Sequence, residues 1–223
     1  PEGRPRCWAA YRRIRDALRD VVGFRGDDVF VSENAVINGR VWIDDGAEVY
    51  PGAYVEGPSY IGKDAVVGTG SLIRGETLIG DRSVVGSHCS TARSLIGPDT
   101  GVYTHCKILN SVVGRRCHLA GFTVTAASRI DLSPVVPEPD IEGVETIRKR
   151  GSIIHHGTGI GPFVVTLPDT ILGENCFVES FIPVRSDVPA GTKLRNETPV
   201  GRERNDLEGV ENPHPPEYPF KDG

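Results

Sequence analysis

The chain carries 223 residues, with 25 Lys+Arg against 30 Asp+Glu, a formal net charge of -5, 38% hydrophobic and 7% aromatic content; this suits one large domain or two small ones and excludes disorder throughout. With 27 Gly and 17 Pro, both above the ordinary usage of about 7% and 5%, the composition argues for a turn-rich β architecture and against a helical bundle. The acidic balance argues against a phosphate-neutralising nucleic-acid surface, and no apolar run approaches the roughly 18 residues of a membrane span, so a cytoplasmic protein with neither nucleic-acid nor membrane partners is expected.

In chain order, Trp8, Tyr11, Ile14, Leu18 and Val21 or Val22 recur at helical spacing with Arg and Asp between them, which predicts an amphipathic helix over residues 6–22 that caps whatever follows. From Val31 a period of six takes over. Steps of six reach Ile37, Ile43, Val49, Val55, Ile61, Val67, Ile73, Ile79, Val85 and Thr91, and two five-residue steps extend the row through Ile96, Val102 and Ile108 to Val113 and Leu119. Fifteen aliphatic residues in these sixteen places exclude chance. Four residues after each aliphatic lies a small residue, such as Ala47, Ala65, Ser83 or Thr100, and Cys89, Cys106 and Cys117 fall in the same row. This is the hexapeptide pattern of a parallel β-helix, in which three short strands make one coil and stacked coils bury the aliphatic row.

The repeat stops near Thr125 and resumes as Ile154, Ile160, Thr166, Leu172, Val178 and Val184, with Cys176 again in the small row. Between them the polar stretch 128–151, with Pro134, Pro137 and Pro139, reads as an arm thrown out of the solenoid. The predicted organisation is a helix and linker at 1–28, an all-β parallel β-helix at 29–194 carrying the arm at 128–151, and a polar tail at 195–223. The five cysteines form no CxxC pair and their odd number makes reduced thiols the default; Cys7 lies apart from the four in the small row, whose shared position predicts buried packing. The sequence has no methionine, so Pro1 is not a translation start and further sequence upstream is expected.

The segments Ser71-Leu72-Ile73-Arg74, Leu119-Ala120-Gly121-Phe122-Thr123-Val124-Thr125-Ala126, Arg148-Lys149-Arg150-Gly151 and Ser186-Asp187-Val188-Pro189 resemble, in this order, the acetyltransferase domain of bifunctional sugar-1-phosphate nucleotidylyltransferases of the glucosamine-1-phosphate acetyltransferase type, archaeal-like members above all. The resemblance implies a left-handed β-helix and a homotrimer with sites between subunits. It implies acetyl-CoA or another acyl-CoA as co-substrate, lying along the later coils near Gly121, Gly161 and Ser180. It also implies an N-acyltransferase acting on a phosphorylated or nucleotide-linked amino sugar or a related small amine. Arg74 matches the family's phosphate-binding arginine and Lys149 a lysine of its arm, which suits a small anionic substrate. The helix resembles the family's interdomain linker.

The remaining positions depart from the pattern. An ungapped match puts Thr104 where the family has its histidine base, Lys107 where it has a tyrosine, Ala92 in place of a lysine, and His118 and Ala127 in place of asparagines. A threonine hydroxyl needs another group to activate it near neutral pH, so the base is expected at His105 or His118. Two alternatives stand beside this reading: a non-catalytic ligand-binding or assembly domain of a sugar nucleotidylyltransferase, and different chemistry on the same scaffold.

His88 and His105 both follow a core aliphatic by three residues, which predicts stacking on adjacent coils about 4.8 Å apart, either as a base with a helper, as two metal ligands, or as two surface imidazoles. The three-histidine metal site of γ-class carbonic anhydrases, carried on the same solenoid, is set aside because His88 and His105 are only one coil apart, and no metal site is assigned. His155-His156 begin the coils after the arm, and β geometry would let at most one of them join a site. Gly157-Thr158-Gly159-Ile160-Gly161 keeps hexapeptide phase and opens no predicted helix, so it is not read as a phosphate loop.

Overall fold

The computed structural model describes residues 4–133, 135 and 149–196, with side chains from Trp8 onward. One helix, α1 (Arg4–Leu18), precedes a solenoid of three parallel sheets with eight, nine and eight strands. The faces are named here by their order in each coil: face A (for example Thr77–Ile79), face B (Val84–Val85) and face C (Ser90–Ala92). The fold is the left-handed parallel β-helix.

Register follows the predicted row: Ile79 stands opposite Ile96, Val85 opposite Val102 and Thr91 opposite Ile108. From Val49 to Leu119 the row is buried, and Ile154, Ile160, Leu172 and Val178 continue the same core after the arm. Each fully buried aliphatic contributes on the order of 1.5–3 kcal/mol, and stacking joins them into one continuous interior. The row frays at the first coil, where Ile37 is exposed.

The arm enters and leaves at one point. The Arg150 N–H donates to the carbonyl of Ala127 at 2.9 Å, and Val113 pairs directly with Ile154, so the insertion leaves the stack unbroken. Gly151 is required at the return, because a Cβ there would collide with the carbonyl oxygen of Leu109. Positions 134 and 136–148 of the predicted arm and 197–223 of the predicted tail lie outside the described residues, as does the side chain of Cys7.

The helix corrects one expectation: it does not cap the first coil. Trp8, Tyr11 and Leu18 pack with Leu95 and Ile153 on the outside of face A, with Tyr60, Leu78, Val112 and Ile171 alongside. Its start meets a late coil, where the Trp8 Nε1–H donates to Asp169 at 3.1 Å, and its end meets early coils, where Arg15 and Arg19 pair with Glu76. Fifteen residues span about 22 Å, close to the four coils between Glu76 and Asp169 at about 4.8 Å each. The physical reason is area: the side of face A offers an apolar stripe as long as the helix, whereas the end of a coil offers one rung. Ile14, placed on the packed face by spacing, is exposed.

Among the described residues no helix is long and apolar enough to cross a membrane.

Candidate functional site

The turn from face B to face C, corner BC, has four residues per coil, and its third residue takes a left-handed conformation. Gly52 and Gly70 occupy that position in early coils, followed by His88 (φ 55), His105 (φ 60), Phe122 (φ 62), Phe163 (φ 57) and Phe181 (φ 63). Coil spacing close to ring thickness turns this column into a ladder. Ring centroids lie 5.2 Å apart for His88 and His105, 4.9 Å for His105 and Phe122, 4.7 Å for Phe122 and Phe163, and 5.0 Å for Phe163 and Phe181. The His88 imidazole fills the space that a side chain on Gly70 would need. Phe122, Phe163 and Phe181 remain 45%, 47% and 65% exposed.

His88 and His105 therefore stack as expected. The imidazole of His105 is held between His88 and Phe122, whose ring is tilted by only 8° to it. Stacking covers the faces of the imidazole, and His105 remains exposed.

The second residue of the same turn forms a parallel column: Thr104, Gly121, Pro162 and Ser180. The carbonyls of Thr104, Gly121 and Pro162 accept the N–H groups of Phe122, Phe163 and Phe181 at 3.0, 3.2 and 3.1 Å. Thr104 and His105 thus stand on the corner along which Gly121, Gly161 and Ser180 follow. A Cβ on Gly121 would approach the Thr104 carbonyl to 3.1 Å.

His118 lies elsewhere, on the outside of face B and opposite Gly101. Its ring packs 4.6 Å from that of Tyr103, which folds back over the bare backbone of Gly101. Tyr103 was not singled out by sequence, although the glycine beneath it is a signal that a large neighbour needs room.

The cationic residues are spread out. Lys107 is exposed at the start of the strand Lys107–Leu109, two residues beyond His105. Arg74 is exposed at the far edge of face C, opposite Ala92, which in turn faces Leu109. Lys149 is exposed beside Arg150 at the corner between faces C and A, corner CA. Within one chain the three do not converge.

His155 and His156 both fall on the turn between faces A and B, corner AB, with ring centroids 6.5 Å apart. The Nδ1 of His156 accepts the N–H of Arg115 at 3.1 Å, so this imidazole ties adjacent coils together. The four small-row cysteines are buried. Burial pushes the Cys117 thiol up, and a hydrogen bond with Cys106 followed by burial raises that of Cys89. Both directions disfavour a nucleophilic thiolate. Among the described residues no group of three or more His, Cys, Asp or Glu could hold a metal ion.

No family model matches the chain. It is 32% identical over 158 residues to the bifunctional protein GlmU of Methanococcus aeolicus, covering 71% of this chain and 38% of that protein. It is equally 32% identical over 162 residues to GlmU of Methanocaldococcus jannaschii, covering 73% and 40%. The chain is a left-handed β-helix of hexapeptide repeats, similar over most of its length to part of these proteins. It spans about two fifths of the length of these curated relatives. Among solved structures, the UDP-N-acetylglucosamine acyltransferase of Campylobacter jejuni is similar at 17% identity and a TM-score of 0.41, covering 72% of this chain and 68% of that one.

In this solenoid, the phenyl rungs of the ladder are what reading the sequence missed. The signal was present. Phe122, Phe163 and Phe181 follow Leu119, Ile160 and Val178 by three residues, the offset that links His88 and His105 to Val85 and Val102.

Proposed function

We propose that this domain is an acyl-CoA-dependent acyltransferase for a sugar-related substrate, in the finer reading an N-acyltransferase for a phosphorylated or nucleotide-linked amino sugar, with corner BC as its working edge. One observation carries the reading: Thr104 and His105 lie on the same corner on which Gly121, Gly161 and Ser180 follow over the later coils. An acyl donor lying along that strip would bring its thioester to His105, which is exposed. The imidazole takes the proton from the amine as the amine attacks the thioester carbonyl, the carbon–sulfur bond breaks, and the CoA thiolate leaves. Lys107, two residues on, supplies positive charge for an anionic substrate, and Arg74 and Lys149 are its more distant partners. Thr104, beside the base, positions rather than activates. His118 serves as the base if His105 does not, with Tyr103 orienting its ring.

Among the described residues, helix α1 covers face A and leaves faces B and C open. This supports a homotrimer in which a neighbour completes the site with cations that one chain keeps apart.

The test is calorimetric titration with acetyl-CoA and CoA, followed by thiol release with amino-sugar phosphates. Binding, with turnover reduced about a hundredfold or more in His105→Ala, is the expected result. Turnover untouched in both His105→Ala and His118→Ala would overturn the residue assignment, and no binding at millimolar ligand would overturn the donor.

The second reading, a ligand-binding or assembly domain of a sugar nucleotidylyltransferase, is favoured by the joint departure of Ala92, Thr104, Lys107, His118 and Ala127 from the family pattern. Binding of a nucleotide sugar without acyl transfer would establish it.

A further inference from the structure

Corner CA carries a cavity of about 470 Å³ at the root of the arm, within the size range of small-ligand clefts. Its charged and hydroxyl-bearing lining comes from Arg129, Asp169, Thr170, Arg185, Ser186 and Asp187. The two carboxylates are already engaged. Asp169 accepts the Trp8 Nε1–H at 3.1 Å and faces Arg150 Nη1 at 3.5 Å, while Arg150 is itself stacked 4.8 Å above the Trp8 ring. Asp187 Oδ1 accepts the N–H of Ile171 at 2.9 Å. The Thr170 hydroxyl donates to the Leu167 carbonyl at 2.6 Å.

The arginines differ. Arg129 Nη2 donates only to the carbonyl of Val135, at 3.3 Å. Its nearby carboxylate, Asp131, is turned to the N–H and hydroxyl of Ser133 at 3.0 and 2.7 Å. Arg185 has no carboxylate partner among the described residues. The wall is thus held in place by Trp8, Arg150 and Ile171; Arg129 and Arg185 form no ion pair among the described residues, and they present two guanidinium groups beside the exposed hydroxyl of Ser186, with the Asp187 carboxylate on the same lining. Guanidinium forks match phosphate oxygens in a bidentate manner.

We propose that this cavity is an anion site for a phosphate monoester, with Arg129, Arg185 and Ser186 as its donors. It is separate from Arg74 and from Lys107 at the start of face C. Ladder positions from Arg74 run through Ala92, Leu109, Ala126 and Leu167 to Arg185, five coils or about 24 Å at strand spacing. Because Asp169 links the cavity wall to helix α1, and Arg129 belongs to the arm, an anion here bridges the arm root to the last coils.

The probes are inorganic phosphate and glucose 1-phosphate, titrated into the full chain by calorimetry at low salt. The wild type binds glucose 1-phosphate; Arg185→Gln and Arg129→Gln each weaken it about tenfold or more, whereas Arg115→Gln, an exposed side chain at corner AB, leaves it within twofold. Equal weakening by high salt in both variants and the wild type would indicate a diffuse field and overturn the site. Loss in Arg74→Gln alone would place the anion in the other region, and no saturable binding at 20 mM (about the ceiling for a useful site,) would also overturn it. Failure of acyl transfer leaves this proposal standing, since none of its outcomes reads turnover. Unchanged thermal unfolding of Arg185→Gln, an exposed side chain, separates loss of binding from loss of fold.

Discussion

Two corners of the solenoid share one backbone and carry opposite chemistry. At corner AB the third turn residue is Asp64 (φ 54), Arg82 (φ 54), Asp99 (φ 57) and Arg116 (φ 54); at corner BC it is His88, His105 and three phenylalanines with nearly the same angles. In both, coil spacing stacks each side chain on its equivalent one rung away. Corner AB answers with alternating charge, so that Arg82 pairs with Asp99 at 2.6 and 3.0 Å. Corner BC answers with rings that cover one another. The fold dictates that neighbours in a column must tolerate contact, and the choice of residue decides whether the column becomes a polar edge or an apolar, ligand-ready one.

The largest expected effect ignores this difference. Leu119→Ala removes a fully buried rung between the two corners, and the cavity it leaves in a stack that cannot collapse costs about 2–5 kcal/mol. Denaturant unfolding should show the midpoint drop whichever corner is probed; a loss below about 1 kcal/mol would mean the coils relax independently.

Phe122 sharpens the comparison. Its ring contacts His105 on one face and Phe163 on the other, so Phe122→Ala should cost about 1–2 kcal/mol from two aromatic contacts. Phe122→Gly loses the same contacts but removes the left-handed penalty on a residue with φ 62, worth about 1 kcal/mol, and should come out nearer to wild type than Phe122→Ala. The reverse order would show that ring stacking does not set the stability of this corner.

The aliphatic row was readable because burial repeats every coil, and a six-residue period survives two five-residue steps and the arm. The place of helix α1 was not. An amphipathic stripe states that Trp8, Tyr11 and Leu18 need a partner, but the contact from Trp8 to Asp169 crosses 161 residues, and no local pattern encodes that distance. The aromatic ladder falls between these cases: its histidine rungs are adjacent in the repeat, while Phe163 and Phe181 lie beyond the arm and emerge only when the offset is carried across it. Arg74, Lys107 and Lys149 show the converse limit, since matching motif positions gives residue types and leaves their separation in one chain to the coil count.

The smallest expected effect lies at corner AB. Arg82 holds the Asp99 carboxyl below the usual carboxylate range through their hydrogen bond, against a lesser opposing effect of burial. A carboxyl lowered in the folded state stabilises the fold above its unfolded pKa, and that contribution fades as pH falls through the lowered value. Both side chains are solvent-exposed, however, and exposed pairs are strongly screened. Arg82→Ala should therefore shift the unfolding midpoint slightly at pH 7 in low salt, less in 1 M salt (a Debye length of about 3 Å,), and not at all once the pH falls well below the folded Asp99 pKa. A larger shift than that of Phe122→Ala at pH 7 would reverse the comparison and make the charged corner the stronger of the two.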